Sequence, residues 1–228
     1  MRIVGEEFDD LVARRIQEWQ LTQRRRGEMP ASTQEAMRRV VTLSRELGSG
    51  GSDTARHLHE ATGWEIWDRR IVEEIARSAQ VRMRMVESVD ERAYSEIVAM
   101  VDELLGERME QAGYRRHLAE VVLTIARLGD AIIIGRGTNW LLPDALNVRI
   151  IAPMKQRVER VALREGISES EAERLCRRSD RERAEFVRAL FDKAIDDLTG
   201  YDLVINTQHL DPAAAAAVIL TAVPERFG

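Results

Sequence analysis

The chain has 228 residues, 44% of them apolar and 32% charged, with a formal net charge of −5. That length can bury a sizeable core, and no run approaches the roughly 18 uninterrupted apolar residues of a membrane span, so a transmembrane helix is excluded. A single cysteine, Cys176, leaves no internal disulfide framework and fits a reducing compartment, and the mild acidity weighs against a general nucleic-acid binder.

The opening MRIVGEEFDD carries no apolar signal core, so a cytoplasmic location is expected. From Phe8 to about Arg26 the apolar residues Phe8, Leu11, Val12, Ile16 and Trp19 recur at helical spacing. Arg24-Arg25-Arg26-Gly27 and Pro30-Ala31-Ser32 end that helix as a linker. Residues 1–37 thus read as an amphipathic arm packed on the body or on a second subunit; with the long helices downstream it fits a homodimer. The body, 38–228, opens with the β-branched run Arg39-Val40-Val41-Thr42-Leu43, then a glycine-serine loop, then a helix from Asp53 to Thr62. Gly63 stops it, and Trp64-Glu65-Ile66-Trp67 is a second short strand ending at Asp68.

Residues 69–128 read as almost continuous helix, with breaks expected near Ser88 and Gly113. Ala131-Ile132-Ile133-Ile134 is a strand buried on both faces. Val148-Arg149-Ile150-Ile151-Ala152 is another, closed by Pro153. Helix is expected from Lys155 to Glu165, a break at Gly166, a capping box from Ser168 to Glu171, and a resumed helix around Arg181. Tyr201–Asn206 is a last strand, and Pro212 begins an alanine-rich helix. Alternating strands and helices predict an α/β fold with a parallel sheet covered on both faces.

Three segments carry chemistry. Gly48-Ser49-Gly50-Gly51-Ser52 lies between a strand and a helix, where backbone N–H groups and the helix dipole suit a phosphate, although such runs are often plain turns. Aligned to the pattern GxxxxGK[ST], Gly51 takes the lysine position. The 34 cationic residues include only two lysines, Lys155 and Lys193, both far along the chain, so arginine is the available substitute. The second segment is Ile134-Gly135-Arg136-Gly137, a buried strand delivering an arginine to its carboxyl end, where ligands bind in open α/β sheets; a surface loop arginine reads equally well. The third is the run Arg174, Arg177, Arg178, Arg181, Arg183 and Arg188, either a solvated helix face or a flap whose arginines close on phosphates. His57 and His59 point to different helix faces, and no cluster has metal-ligand spacing.

In order along 38–222, VTLSRELGSGGSDTARHL, WEIWDRRIVEEIA, IIIGRGTNWLLPDALNVRIIAP, ERVALREGISESEAERLCRRSDRERAEF and GYDLVINT resemble the cytidylate kinase-like branch of the P-loop nucleoside monophosphate kinases. The resemblance implies a P-loop sheet flanked by helices, a helical acceptor-binding insertion at 79–128 and an arginine-rich lid at 166–188. It implies that Gly48, Ser49, Gly50, Gly51, Ser52 and Asp53 hold the phosphates of ATP, with Ser52 contacting Mg²⁺. Asp68, Arg69 and Arg136 would begin the site of a small phosphorylated acceptor such as CMP or dCMP, and Arg45, Arg178, Arg181 and Arg183 would neutralise the transferring phosphoryl group. Gly137 stands where the family's GRD motif has aspartate. Two other readings stay open: a nucleotide-binding module with little catalysis, and a kinase for another small metabolite. Neither nucleic acid nor a membrane is implied as a partner.

Overall fold

The computed structural model describes residues 39–77, 82–83, 91–105 and 113–228. The expected arm and the expected break near Ser88 lie outside them. In chain order the elements are β1 (Val40–Arg45), α1 (Gly51–Thr62), β2 (Glu65–Trp67), α2 (Arg69–Arg77), α3 (Glu91–Leu105) and α4 (Gly113–Leu128). Then come β3 (Ala131–Ile134), α5 (Thr138–Leu141), β4 (Leu146–Ile151), α6 (Met154–Glu165), α7 (Glu169–Phe191), β5 (Leu203–Asn206) and α8 (Pro212–Phe227). Among the described residues no helix is long and apolar enough to cross a membrane. Residues 39–68 and 131–228 form one compact unit, and the described part of 69–130 belongs to another.

The first unit is built on a five-stranded sheet in the order β2-β3-β1-β4-β5, every neighbouring pair parallel. Parallel neighbours cannot be joined by tight turns, so each return passes through a longer connection. β1 lies at the centre, with Val41 in register with Ile132 on one side and Leu146 on the other. Side chains alternate along each strand. Val41, Leu43, Ile132, Ile134, Val148 and Ile150 therefore share one face, packed against Ala55 and Leu58 of α1 and Ala215, Ala216 and Ile219 of α8. Each large side chain so buried contributes about 1.5–3 kcal/mol. The small residues of α8 let it lie close to the sheet. Asp211 caps that helix, its Oδ1 accepting from the Ala214 N–H at 2.7 Å, and Pro212 follows where a missing N–H costs nothing.

The opposite face of the same strands is polar. Thr42 stands in register with Asn147, and Ser44 with Arg149. Thr42 donates to Asn147 Oδ1 at 2.6 Å, while Asn147 Nδ2 donates to the carbonyls of Leu142 and Ala145. These pairings are what permit buried polar groups in a sheet.

α6 ends at Gly166, whose φ of 66° is left-handed, and α7 begins with the expected capping box. Val158 and Val161 pack against Ala172 and Cys176, with Leu47 and Ile167 at the margin. One expectation fails here: no helix resumes at Arg181, because α7 runs unbroken from Glu169 to Phe191. Asp180 turns its carboxylate onto Arg157 of α6 instead of competing for its own backbone.

In the second unit α4 packs against both α2 and α3, burying Val72, Ile75, Ile97, Val101, Val122 and Ile125. The expected break at Gly113 coincides with the first residue of α4. Arg127 pairs with Glu96 at 2.8 Å, and Arg116 with Glu120 at 3.0 Å.

Candidate functional site: a glycine loop beside an arginine-lined cavity

Because all five strands run the same way, their carboxyl ends share one edge. The chain leaves β1 there through Glu46–Gly50 and enters α1 at Gly51. Gly48 has φ +82°, and a Cβ on it would lie 2.6 Å from the Arg157 carbonyl oxygen, so only glycine fits. Gly50 follows at φ 80° as the residue that caps α1. The loop carbonyls are tied down from outside: Thr207 Oγ1 donates to Ser49 O at 2.7 Å, and Arg160 donates to Gly48 O at 3.3 Å and Thr207 O at 2.9 Å. The first helical bond of α1 is Thr54 N–H to Gly50 O at 2.9 Å. The N–H groups of Gly51, Ser52 and Asp53 thus precede the ladder, the arrangement that receives anions. Ser52 and Asp53 are exposed, and Asp53 accepts from Arg56 at 3.1 Å.

Gly51 explains the missing lysine. A Cβ there would lie 2.8 Å from Cβ and 2.9 Å from Cδ of Arg45, so the Arg45 side chain already covers the position. Arg45 in turn lines a cavity of about 590 Å³ with Arg149, Arg181, Arg183, Arg188 and Lys193. Glu46, Asp180, Glu185 and Asp196 face the same space. Two of these carboxylates are engaged by one buried cation. Arg157, 2% exposed, donates to both oxygens of Asp180 at 2.6 and 2.9 Å and lies 3.4 Å from Glu46. Glu46 also accepts from the Ala152 N–H at 3.1 Å. Burial pushes the Asp180 carboxyl above the usual carboxylate range; Arg157 pulls it down and Glu46 pushes it up. Burial likewise raises the Cys176 thiol, whose Sγ points at Leu47 O.

The structure brings together only part of the expected set. Arg45, Arg181 and Arg183 share the cavity, with Arg183 Nε donating to Ser179 Oγ at 3.0 Å. Arg178 is not among its lining residues: it is exposed on α7, 3.8 Å from Glu182. Three residues apart on an unbroken helix, Arg178 and Arg181 share one side of α7, yet only Arg181 of the two lines the cavity. Arg136 sits half-buried with its guanidinium 5.8 Å from the centre of the Phe186 ring. Asp68 is half-buried after β2, and Arg69 pairs with Glu73 at 2.9 Å in the second unit. Gly137, at φ 74°, lies against Phe191, whose ring fills the space a side chain there would need.

Arg149, Arg157, Arg160, Lys193 and Thr207 were invisible as site residues in the sequence. Arg157 and Arg160 look like ordinary helix-surface charges, and Lys193 is far from the loop along the chain. Its ammonium stands 5.1 Å above the Trp140 ring, on the cavity wall with Arg45. Arg149 did carry a signal, a charge inside an otherwise apolar strand.

The sequence matches the cytidylate kinase-like family over residues 40–209. It is 28% identical over 187 residues to a cytidylate kinase of Pyrococcus horikoshii, covering 81% of this chain and 88% of that protein. A cytidylate kinase of Ignicoccus hospitalis is 29% identical over 183 residues, covering 79% and 96%. Among solved structures, an uncharacterized protein from Eubacterium ventriosum aligns with a TM-score of 0.57 at 19% identity, over 82% of this chain and 98% of the other, a likeness of fold. The chain belongs to the cytidylate kinase-like family and is a kinase, a phosphotransferase.

Proposed function

We propose that the chain transfers the γ-phosphoryl group of ATP to the phosphate of a nucleoside monophosphate of the CMP or dCMP kind. The observation that carries this reading is the packing of Arg45 over Gly51: the cation missing from the loop sequence stands directly beside the loop. In this mechanism the N–H groups at the start of α1 and the Gly48–Ser52 loop hold the triphosphate. Arg45, Arg181 and Arg183, which line one cavity, neutralise charge on the group in transit, and Asp68 and Arg136 begin the acceptor site. Such transfer needs positioning and charge neutralisation with no covalent intermediate, and arginine supplies both through its planar fork. Arg178, exposed on α7 beside Glu182, lies outside this lining.

Mg²⁺ arrives with the nucleotide and needs few protein ligands. Among the described residues no cluster of acidic, histidine or cysteine side chains could cage a metal, and the exposed Ser52 at the start of α1 fits as its one hydroxyl ligand. When bound, the ion spreads the charge of the β- and γ-phosphate oxygens.

A second acceptor is favoured by one observation. The family's aspartate has no room at 137, because the backbone is left-handed and Phe191 fills the adjoining space. Recognition of cytosine must then come from elsewhere, or the base is a different one. A turnover screen with Mg-ATP against CMP, dCMP, UMP and purine monophosphates decides. Turnover fastest with CMP or dCMP supports the reading, fastest turnover on another acceptor moves the specificity, and nucleotide binding without turnover on any acceptor refutes the phosphotransfer mechanism.

A further inference from the structure

Arg149 is 8% exposed, in the second half of β4, in register with Ser44 of β1. Among the described residues its one hydrogen bond runs from Nη1 to Ser44 Oγ at 3.2 Å, and its guanidinium lies 5.7 Å from the centre of the Tyr201 ring. A guanidinium carries five N–H donors and cannot shed its charge. The cavity carboxylates Asp180 and Glu46 spend their hydrogen bonds on Arg157 and the Ala152 N–H, so Asp180 acts on Arg149 only through space. Tyr201 does not release the charge either, since its hydroxyl donates to Ile195 O at 3.0 Å and only its ring meets Arg149. A buried cation held by one neutral hydroxyl is expensive to keep. It lines the same cavity as Arg45.

We infer that Arg149 is an anion anchor of this cavity: its unused N–H donors receive a phosphoryl oxygen of the bound substrate, which supplies the hydrogen-bonded negative charge that no carboxylate of the described residues provides. The inference rests on the phosphotransferase reading and adds a residue to it. Ser44 and Tyr201 act as positioning residues, one fixing a nitrogen and the other the plane of the guanidinium. The anchor comes from a strand, so it does not depend on closure of any helix, whereas Arg181 and Arg183 come from α7.

The test uses the full chain and inorganic pyrophosphate as probe, followed by calorimetric titration, with thermal unfolding of the ligand-free protein alongside. Arg149→Met and Arg149→Lys are compared with wild type and with Arg164→Met, an exposed arginine paired to Glu165 away from the cavity. Losing charge-assisted hydrogen bonds should weaken pyrophosphate binding about tenfold or more in Arg149→Met, with a smaller loss in Arg149→Lys and none in Arg164→Met. Ligand-free Arg149→Met should melt at or above the wild-type temperature, because an uncompensated buried charge has been removed. Wild-type affinity in Arg149→Met overturns the anchor and leaves the phosphotransferase reading standing. A melting temperature well below wild type assigns Arg149 a structural role and overturns it as well. If the wild-type chain itself binds neither pyrophosphate nor ATP, both readings fall.

Discussion

Replacing Asp180 by alanine strands the buried Arg157 guanidinium, and the cost follows from the geometry. Arg157 is 2% exposed and loses two hydrogen bonds, at 2.6 and 2.9 Å, keeping Glu46 at 3.4 Å and the weak acceptor Met154 Sδ at 3.3 Å. Removing one partner of a buried ion pair costs about 3–5 kcal/mol. The Asp180 side chain is 33% exposed, so water screens the pair, and Glu46 takes up part of the charge; the low end, about 3 kcal/mol, is expected. At about 2–4 °C per kcal/mol for a chain of this size, the melting temperature should fall by about 6–12 °C. Arg157→Leu should cost less, about 1–2 kcal/mol, because the carboxylates it abandons can reach water and the leucine fills apolar space. The double variant should be more stable than the sum of the single losses requires, by at least about 1.5 kcal/mol. Urea unfolding of the four ligand-free proteins measures all three values. An Asp180→Ala loss below about 1 kcal/mol, or strictly additive variants, would show that Arg157 is hydrated and that the pair does not organise the loop.

Three further outcomes are expected. Gly48→Ala places a methyl group against the Arg157 carbonyl at a positive φ, so it should cost about 1–3 kcal/mol and weaken ATP binding at least about tenfold, read by denaturation and titration. Wild-type binding there would dissociate the loop from the nucleotide. Cys176 is fully buried with its thiol raised by burial, so the native protein should react with a thiol-specific disulfide reagent only as fast as it unfolds; rapid reaction of one thiol in the native state would contradict the packing of α6 on α7. Burial, with help from Arg82 and Arg116 and against Glu120, holds His117 below its ordinary 6.5. The unfolded chain therefore binds a proton that the folded chain rejects, so this contribution to stability is present above that value and is lost as pH falls through the folded one. Melting temperatures between about pH 7.5 and 5.5 should fall less in His117→Gln than in wild type, and equal slopes would exclude His117 as the source.

Much of the fold was legible because it is written locally. Strand β3 is a continuous apolar run, β4 a mostly apolar one closed by Pro153, Gly166 and the Ser168–Glu171 box punctuate α6 and α7, and Pro212 starts α8. Each of these signals acts within a few residues, so a single sequence suffices to read it. The missing lysine was equally legible, as a glycine at the motif's lysine position. The break expected near Arg181 failed because the competing demand on Asp180 comes from Arg157, on another helix.

What only the tertiary structure decided is which of the 32 arginines serve the site and which serve the fold. Arginine spacing on α7 treats Arg178 and Arg181 alike, yet only Arg181 reaches the cavity wall. Arg157 and Arg149 read as a helix charge and a strand anomaly; one is paired with Asp180 and Glu46, while the other is hydrogen-bonded to Ser44 and to no carboxylate among the described residues. Partners such as Glu46 and Arg157, or Ser44 and Arg149, are separated by more than a hundred residues of chain and meet only because β1 and β4 lie side by side. The sequence determined that the glycine-serine loop carries no lysine of its own. Packing determined that the side chain lying against Gly51 is that of Arg45, because contact is a property of neighbours in space.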